Sequence, residues 1–373
     1  MEYKIVIACS SPKEKSEPFI EHIKQKVKGK KYFLYGDNLP LYAVNYGSLA
    51  YYPHFLKKGI RKIRRMIGKT YDTSRVEGIK KFLVKNKIQL VLSEFGSTGA
   101  KMAPICRDLN IFHIVHFFGG GDVNSKINIK NYKDEYLFLF KYASAVICVS
   151  EDMKYDLNKI GCELNKIHII PCGVEEQLYK VTPDFNHKIF LFVGRFVDQK
   201  APYYLLESFK KVLLELPDAK LVMVGDGYLH NTILNLANLW KISSSVVLSG
   251  YIEHSKLIEY YEKSFCYVQH SIVAEDGCAE GTPVSLLEAS FASLPVISTR
   301  HKGIRQAVIE NVTGFLVEEH DAGAMADCMI YLAKNTNIAK QMGEKGREYI
   351  KNNYSMKKYI SSIDDLISNV IGE

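Results

Sequence analysis

The sequence predicts an α/β protein made of two doubly wound domains in series, facing each other across a cleft. Three observations carry that prediction. Short apolar runs alternate with longer helical stretches through most of the chain, the pattern of parallel sheets covered by helices on both faces. The alternation runs twice, with a break at Pro171-Cys172-Gly173 and the polar stretch 182–187. With 373 residues and 47% hydrophobic content, the chain is long enough for two cores of ordinary domain size.

The first unit opens with a strand at 3–8, a helix at 18–27 and a strand at 31–35. An irregular tyrosine-rich stretch and two helical segments follow. Strand 89–93, helix 98–109, strand 111–117, helix 131–142, strand 145–149, helix 151–160 and strand 166–170 complete the unit. The second alternation places strands at 188–193, 220–224, 245–248, 265–271 and 295–299. Helices at 202–216, 228–239, 255–263 and 283–292 separate them, and from Asp321 the chain reads as helical to its end. The expected units are residues 1–181, 182–353 and a terminal segment 354–373. Two such domains set a ligand cleft at the carboxyl ends of their strands.

Composition narrows the function. No run approaches the roughly 20 apolar residues of a membrane span, and no apolar leader precedes the first strand, so a cytoplasmic location is expected. The eight cysteines contain no C-x-x-C pair and several sit in apolar strands, which fits reduced, structural thiols. Net charge is +8, and part of it is concentrated in FLKKGIRKIRRMIGK at 55–69. Seven cations there flank Leu56, Ile60, Ile63 and Ile67 at helical spacing, the signature of an interfacial helix on an anionic membrane surface. Each cation would add about 1 kcal/mol at such a surface. The competing reading is an isoleucine face packed on the domain with solvated charges. Nucleic acid is not expected, since no recognition module or stacking aromatics accompany the charge.

The chemistry concentrates in the second half. The strand at 188–193 ends in Gly194-Arg195, and Lys200 follows in GRFVDQKAP. Glycine at a strand end lets a ligand approach the backbone, and two cations beyond it can hold a diphosphate. The stretch 265–299 reads as strand, loop, helix and strand. Thr282 is placed as N-cap and Pro283 as the first helical residue, leaving the Val284 and Ser285 amides free to attract phosphate. Glu280 lies before this helix. Glu288 lies about one and a half turns into it, where a carboxylate can accept hydrogen bonds from vicinal hydroxyls such as those of a ribose. No G-x-x-x-x-G-K-[ST] and no D-x-D triplet occurs, so neither a P-loop nor a paired-aspartate metal site is expected. Arg195 and Lys200 would neutralise a leaving diphosphate in place of a metal.

The run Glu280-Gly281-Thr282-Pro283-Val284-Ser285-Leu286-Leu287-Glu288-Ala289, with 274–277 before it and Leu294-Pro295-Val296-Ile297 after it, resembles the E-x7-E signature of retaining GT-B glycosyltransferases. It is closest to the type that builds bacterial exopolysaccharides such as colanic acid and amylovoran. Similarity extends to Val193-Gly194-Arg195 with Lys200, to 224–227, to Leu248-Ser249-Gly250-Tyr251, to Gly303-Ile304 and to 170–174. The resemblance implies two Rossmann-like domains, with Arg195 and Lys200 on the donor diphosphate, Glu288 on the ribose and Glu280 on the transferred sugar. It puts the backbone around Gly250, Tyr251 and Ile252 near the base, and it includes Gly194, Gly281, Thr282 and Asp122 in the donor site. The chain end from about Tyr354 would cross back onto the first domain.

Two departures stand out. Relatives carry H-F-H-G-Y-D where this chain has His116-Phe117-Phe118-Gly119-Gly120-Gly121-Asp122, so Phe118 stands where a histidine facing the donor sugar is expected. Either His116 substitutes for it or the sugar loses a partner, and a core-buried histidine is the competing reading for His116. The second departure is G-I-P-E, which here is Gly303-Ile304-Arg305-Gln306.

The expected function is retaining, metal-independent transfer of a hexose or related sugar from a UDP- or GDP-sugar to a lipid-linked glycan acceptor, with no cofactor. Such an enzyme would make exopolysaccharide, capsule or O-antigen and sit peripherally on the inner membrane face. The alternatives are a nucleotide-sugar epimerase of the same architecture and a non-catalytic glycan- or nucleotide-sugar-binding subunit.

Overall fold

A computed structural model describes residues 3–11, 18–50 and 73–372. The basic stretch 55–69 lies outside the described residues.

The first sheet has eight strands: β1 (Lys4–Ala8), β2 (Lys30–Tyr35), β3 (Tyr42–Ala43), β4 (Gly47–Ser48), β5 (Leu90–Glu94), β6 (Phe112–Phe117), β7 (Ala145–Cys148) and β8 (Ile167–Ile169). Their order is β4-β3-β2-β1-β5-β6-β7-β8. The second sheet contains β9 (Ile189–Val193), β10 (Lys220–Val224), β11 (Val246–Gly250), β12 (Cys266–Gln269), β13 (Val296–Thr299) and β14 (Gly314–Val317), ordered β11-β10-β9-β12-β13-β14. All pairings in the second sheet are parallel. Interior strands such as β7 are buried at every position, which is why they read as unbroken apolar runs rather than alternating ones.

Three features differ from the sequence expectation. The tyrosine-rich stretch forms the antiparallel pair β3–β4 on the edge of the first sheet. Its two-residue strands are too short to give a periodicity signal. β14 was not expected either: it is four residues long and opens on Gly314, whose Cβ would come within 2.2 Å of the Val296 carbonyl oxygen. The helix expected at 131–142 begins earlier, at Lys126, because Ser125 caps it by accepting from the Asn128 amide at 3.3 Å.

In the second sheet the strand order reverses direction between β9 and β12, and in the first between β1 and β5. The ends of these strands face the cleft, so sheet order alone puts the Gly194-Arg195 turn beside the loop that follows β12. The chain passes between the halves at two adjacent crossings. The Val174 amide donates to Tyr354 O at 2.9 Å, and the Met356 amide to Val174 O at 3.2 Å. Beyond the second crossing, the helix Met356–Ile371 buries Met356, Tyr359, Ile363 and Ile367 in the core of the first sheet. Gly173 permits this crossing, since a Cβ there would stand 2.7 Å from Met356 Cα.

The G-I-P-E departure has a visible role. Lys302 Nζ lies 2.9 Å from Asp156 Oδ2, Arg305 pairs with Asp152, and Gln306 Oε1 accepts from the Glu151 amide at 3.3 Å. The second domain thereby grips the start of the helix Glu151–Lys159 in the first.

Among the described residues no helix is long and apolar enough to cross a membrane. All eight cysteines are free, and six of them are buried.

Candidate active site

The cleft between the two sheets has a volume of about 520 Å³. Its second-domain wall is made by Gly194, Arg195 and Lys200 after β9, by Tyr251, Ile252 and His254 after β11, and by the segment from Glu280 to Ser285 with Glu288. The first domain contributes Phe19, Phe95, Phe118, Gly119, Gly121 and Cys172. Among the sequence-predicted site residues, His116 and Asp122 do not line the cleft.

Arg195 is exposed in the cleft and, among the described residues, has no hydrogen-bond or ion-pair partner. Lys200 is buried, with Nζ 3.2 Å from Glu280 Oε2 and 3.5 Å from Gln269 Oε1. This ion pair is shielded from water, so its geometry is held more firmly than that of a surface pair. The Glu280–Thr282 turn is supported from behind. The Glu280 amide donates to His301 Nε2 at 3.0 Å, and His301 Nδ1 lies 2.5 Å from Glu319 Oε1. Because Nε2 accepts, Nδ1 carries the proton and donates to Glu319, which fixes the ring's orientation. Glu319 Oε2 in turn accepts from the Val273 amide at 2.9 Å, so one side chain anchors both ends of the loop after β12.

The phosphate-attracting helix starts at Val284, one residue later than expected. Its N-cap is Pro283, at φ −63° and ψ 120°, and no side chain caps it. Thr282 is therefore not the cap: Gly303 packs against it, at a distance where a Cβ would meet Thr282 Oγ1 at 2.5 Å. The consequence favours anion binding, because the Val284 and Ser285 amides have no internal acceptor among the described residues. Ser285 Oγ instead donates to Val193 O at 2.8 Å and lies 2.9 Å from Tyr267 Oη, tying the helix start to the end of β9.

Glu288 is buried with both oxygens engaged. Oε1 lies 2.6 Å from His254 Nε2, and Oε2 accepts from Tyr261 Oη at 2.9 Å. The hydrogen bond to Glu288 raises the His254 imidazole above its usual value, outweighing the opposing effect of burial. Neither partner was foreseen from the sequence. His254 follows β11, 34 residues before Glu288, and no short motif links them.

His116 is fully buried behind Phe118, with ring centroids 3.7 Å apart. They are two residues apart at the end of β6 and share one side of the sheet, so Phe118 screens His116 from the cleft. His116 Nδ1 is 3.4 Å from Glu94 Oε2, and burial pushes the Glu94 carboxyl above the usual carboxylate range. Asp122 accepts from the Gly96 amide at 3.0 Å and so holds the start of the helix Gly96–Asp108. Burial raises its carboxyl to about 6, partly offset by bonds from the Gly96 and Ser97 amides. Among the described residues no group of three or more His, Cys, Asp or Glu side chains is placed to hold a metal ion.

Two cations, uncapped helix amides and the carboxylates of Glu280 and Glu288 thus share one face of a cleft between two doubly wound domains. Residues 36–178 match the family described as Glycosyltransferase Family 4, and residues 174–349 match Glycosyl transferases group 1. The chain belongs to these glycosyltransferases, and its fold is GT-B.

The amylovoran biosynthesis glycosyltransferase AmsK of Erwinia amylovora is 26% identical over 250 residues, covering 66% of this chain and 61% of that protein. The match thus spans less than two thirds of that relative. The putative colanic acid biosynthesis glycosyltransferase WcaL of Escherichia coli K12 is 23% identical, covering 73% of this chain and 68% of that one. An Escherichia coli UDP-Gal:alpha-D-GlcNAc-diphosphoundecaprenol alpha-1,3-galactosyltransferase is 26% identical, with 82% of each chain covered. Among solved structures, Anabaena HepE in complex with UDP-glucose superposes with a TM-score of 0.76 at 14% identity, covering 98% of this chain and 99% of that chain.

Proposed function

We propose that the protein transfers a sugar from a UDP- or GDP-sugar to a lipid-linked glycan in bacterial surface polysaccharide biosynthesis, with retention of anomeric configuration and without a metal ion. The observation that carries this reading is the convergence, in one cleft, of exposed Arg195, buried Lys200 and the uncapped Val284 and Ser285 amides beside Glu280 and Glu288. Family membership and the polysaccharide roles named for its relatives support it.

In the reaction the bond between the anomeric carbon and the diphosphate oxygen breaks, and the acceptor hydroxyl oxygen forms the new bond. The hydroxyl proton passes to the departing diphosphate. Charge grows on that leaving group, and Arg195, Lys200 and the two amides meet it. Glu280, nearest the reacting end, is paired with Lys200 rather than free to attack, which fits front-face delivery of the acceptor. Glu288 would take the ribose by sharing its oxygens with His254 and Tyr261.

The test incubates the protein with UDP- and GDP-sugars and an undecaprenyl-diphosphate-linked glycan, with and without EDTA, and reads the product anomer by NMR. Transfer that survives EDTA and retains configuration is expected. An inverted product, or loss of transfer with EDTA, overturns the corresponding part. The anionic membrane surface is the proposed partner of residues 55–69 on the basis of their seven cations. Changing Lys57, Lys58, Arg61 and Arg65 to glutamate is expected to abolish co-sedimentation with anionic vesicles, and unchanged sedimentation overturns that role.

A further inference from the structure

Among the described residues, the first-domain wall of the cleft offers no hydroxyl, amide, imidazole or charged side chain. It consists of Phe19, Phe95, Phe118 and the thiol-bearing Cys172, with two glycines that contribute backbone only. The rings form one surface, with centroids 3.9 Å apart for Phe19 and Phe118 and 5.6 Å apart for Phe95 and Phe118. His116 and Glu94 on this side are fully buried, His116 directly behind Phe118.

This wall stands directly against the turn that follows Glu280. A Cβ at Gly281 would come within 2.7 Å of the Phe118 carbonyl oxygen. A diphosphate held by Arg195, Lys200 and the helix amides therefore directs its sugar between Glu280 and the aromatic surface. A hydroxymethyl group turned to the rings gives up its water and meets no side-chain partner among the described residues of this wall, whereas a methyl group in the same place is buried on carbon.

We propose that the donor is a deoxysugar nucleotide, one that presents a methyl in place of a hydroxymethyl group to Phe118. The proposal rests on the reading of this cleft as the nucleotide-sugar site and specifies the class of sugar it takes.

The test compares donors that differ by a single oxygen: GDP-rhamnose with GDP-mannose, and UDP-N-acetylquinovosamine with UDP-N-acetylglucosamine. Calorimetry gives Kd for each, with free GDP and UDP as references. In the pair whose free nucleotide binds, the deoxysugar is expected to bind about tenfold tighter, the discrimination an apolar pocket typically achieves for one small group. Phe118→His restores a polar partner and is expected to erase or invert the ratio. Phe118→Leu keeps the wall apolar and is expected to preserve it. A wild-type preference for the hydroxylated sugar, equal affinities, or an unchanged ratio in Phe118→His overturns the proposal while leaving the nucleotide site standing. Failure of both free nucleotides to bind overturns the site itself, and the proposal with it.

Discussion

The second-domain wall of the cleft holds Arg195, Lys200, Glu280 and Glu288, whereas the first-domain wall opposite holds Phe19, Phe95 and Phe118. The polar wall is braced from behind: Lys200 by Glu280 and Gln269, Glu288 by His254 and Tyr261, and the Glu280 turn by His301 and Glu319. On the aromatic side Glu94 and His116 are withdrawn into the core, where their side chains have no well-formed hydrogen bond among the described residues. On the proposed reading the difference follows from what each wall would do: a diphosphate is recognised by charges and dipoles fixed in advance, which requires a supporting layer, while a sugar face and methyl need only shape and carbon.

The sharpest way to break the polar side is to remove its cations. Arg195→Ala and Lys200→Ala are each expected to lower turnover about a hundredfold, the loss of one preorganised donor being about 3 kcal/mol. Steady-state kcat checks this, and near-normal turnover in both would refute the assignment. Arg195→Ala should leave thermal stability unchanged, since the side chain is exposed and has no ion-pair partner among the described residues.

Next in size is the brace on Glu288. Glu288→Ala strands His254 and Tyr261, and a loss of roughly 2–3 kcal/mol in urea unfolding is expected from the buried Tyr261 hydroxyl and the lost charge partner. Stability within experimental error of wild type would mean that the pair only decorates the wall.

A smaller effect is expected at His301. It touches the Glu280 backbone rather than any substrate, so His301→Ala should lower kcat about tenfold while donor KM changes little, through misplacement of the turn. His301→Gln, which can still accept from the Glu280 amide, should recover part of the loss. Equal damage from both variants would reduce His301 to a packing residue.

The pH response is milder still. The folded protein holds the His254 proton more tightly than the unfolded chain does, so this pair's stabilisation is complete below the ordinary imidazole value of 6.5 and fades as pH rises through the higher folded value. Melting temperature followed across that window should fall less in His254→Gln than in wild type. The smallest effect belongs to the Arg305–Asp152 contact across the domains. With the guanidinium half exposed, a double-mutant cycle should give under about 1 kcal/mol.

Much of the polar wall was legible in the sequence because its residues sit in strand–turn–helix units with local signals. Gly194, Arg195 and Lys200 follow one strand end, and Glu280, Val284, Ser285 and Glu288 lie around one helix start. Even there the cap was misread. Thr282 and Pro283 suit either N-cap or first helical position, and contact with Gly303 decided between the registers. The supporting residues were not legible. His301 lies 21 residues from Glu280, and Tyr261 lies 27 from Glu288. For His116 the sequence left two readings open, a sugar partner and a core histidine, and only the fold, with Phe118 packed over the ring, decided for the core.

The aromatic wall is the clearest case of what tertiary structure decided. Phe19, Phe95 and Phe118 belong to three separate segments; Phe118 stood out in the sequence as a departure from an expected histidine, but Phe19 and Phe95 read as ordinary apolar residues. They meet because β1, β5 and β6 lie side by side in the first sheet. The sequence by itself determined the two α/β units, their parallel strands and the charged residues at the strand ends, since periodicity and capping act over a few residues. Which strand neighbours which is set by packing across the whole chain. The partners of Glu280 and Glu288, and the apolar surface facing them, existed only once that order was fixed.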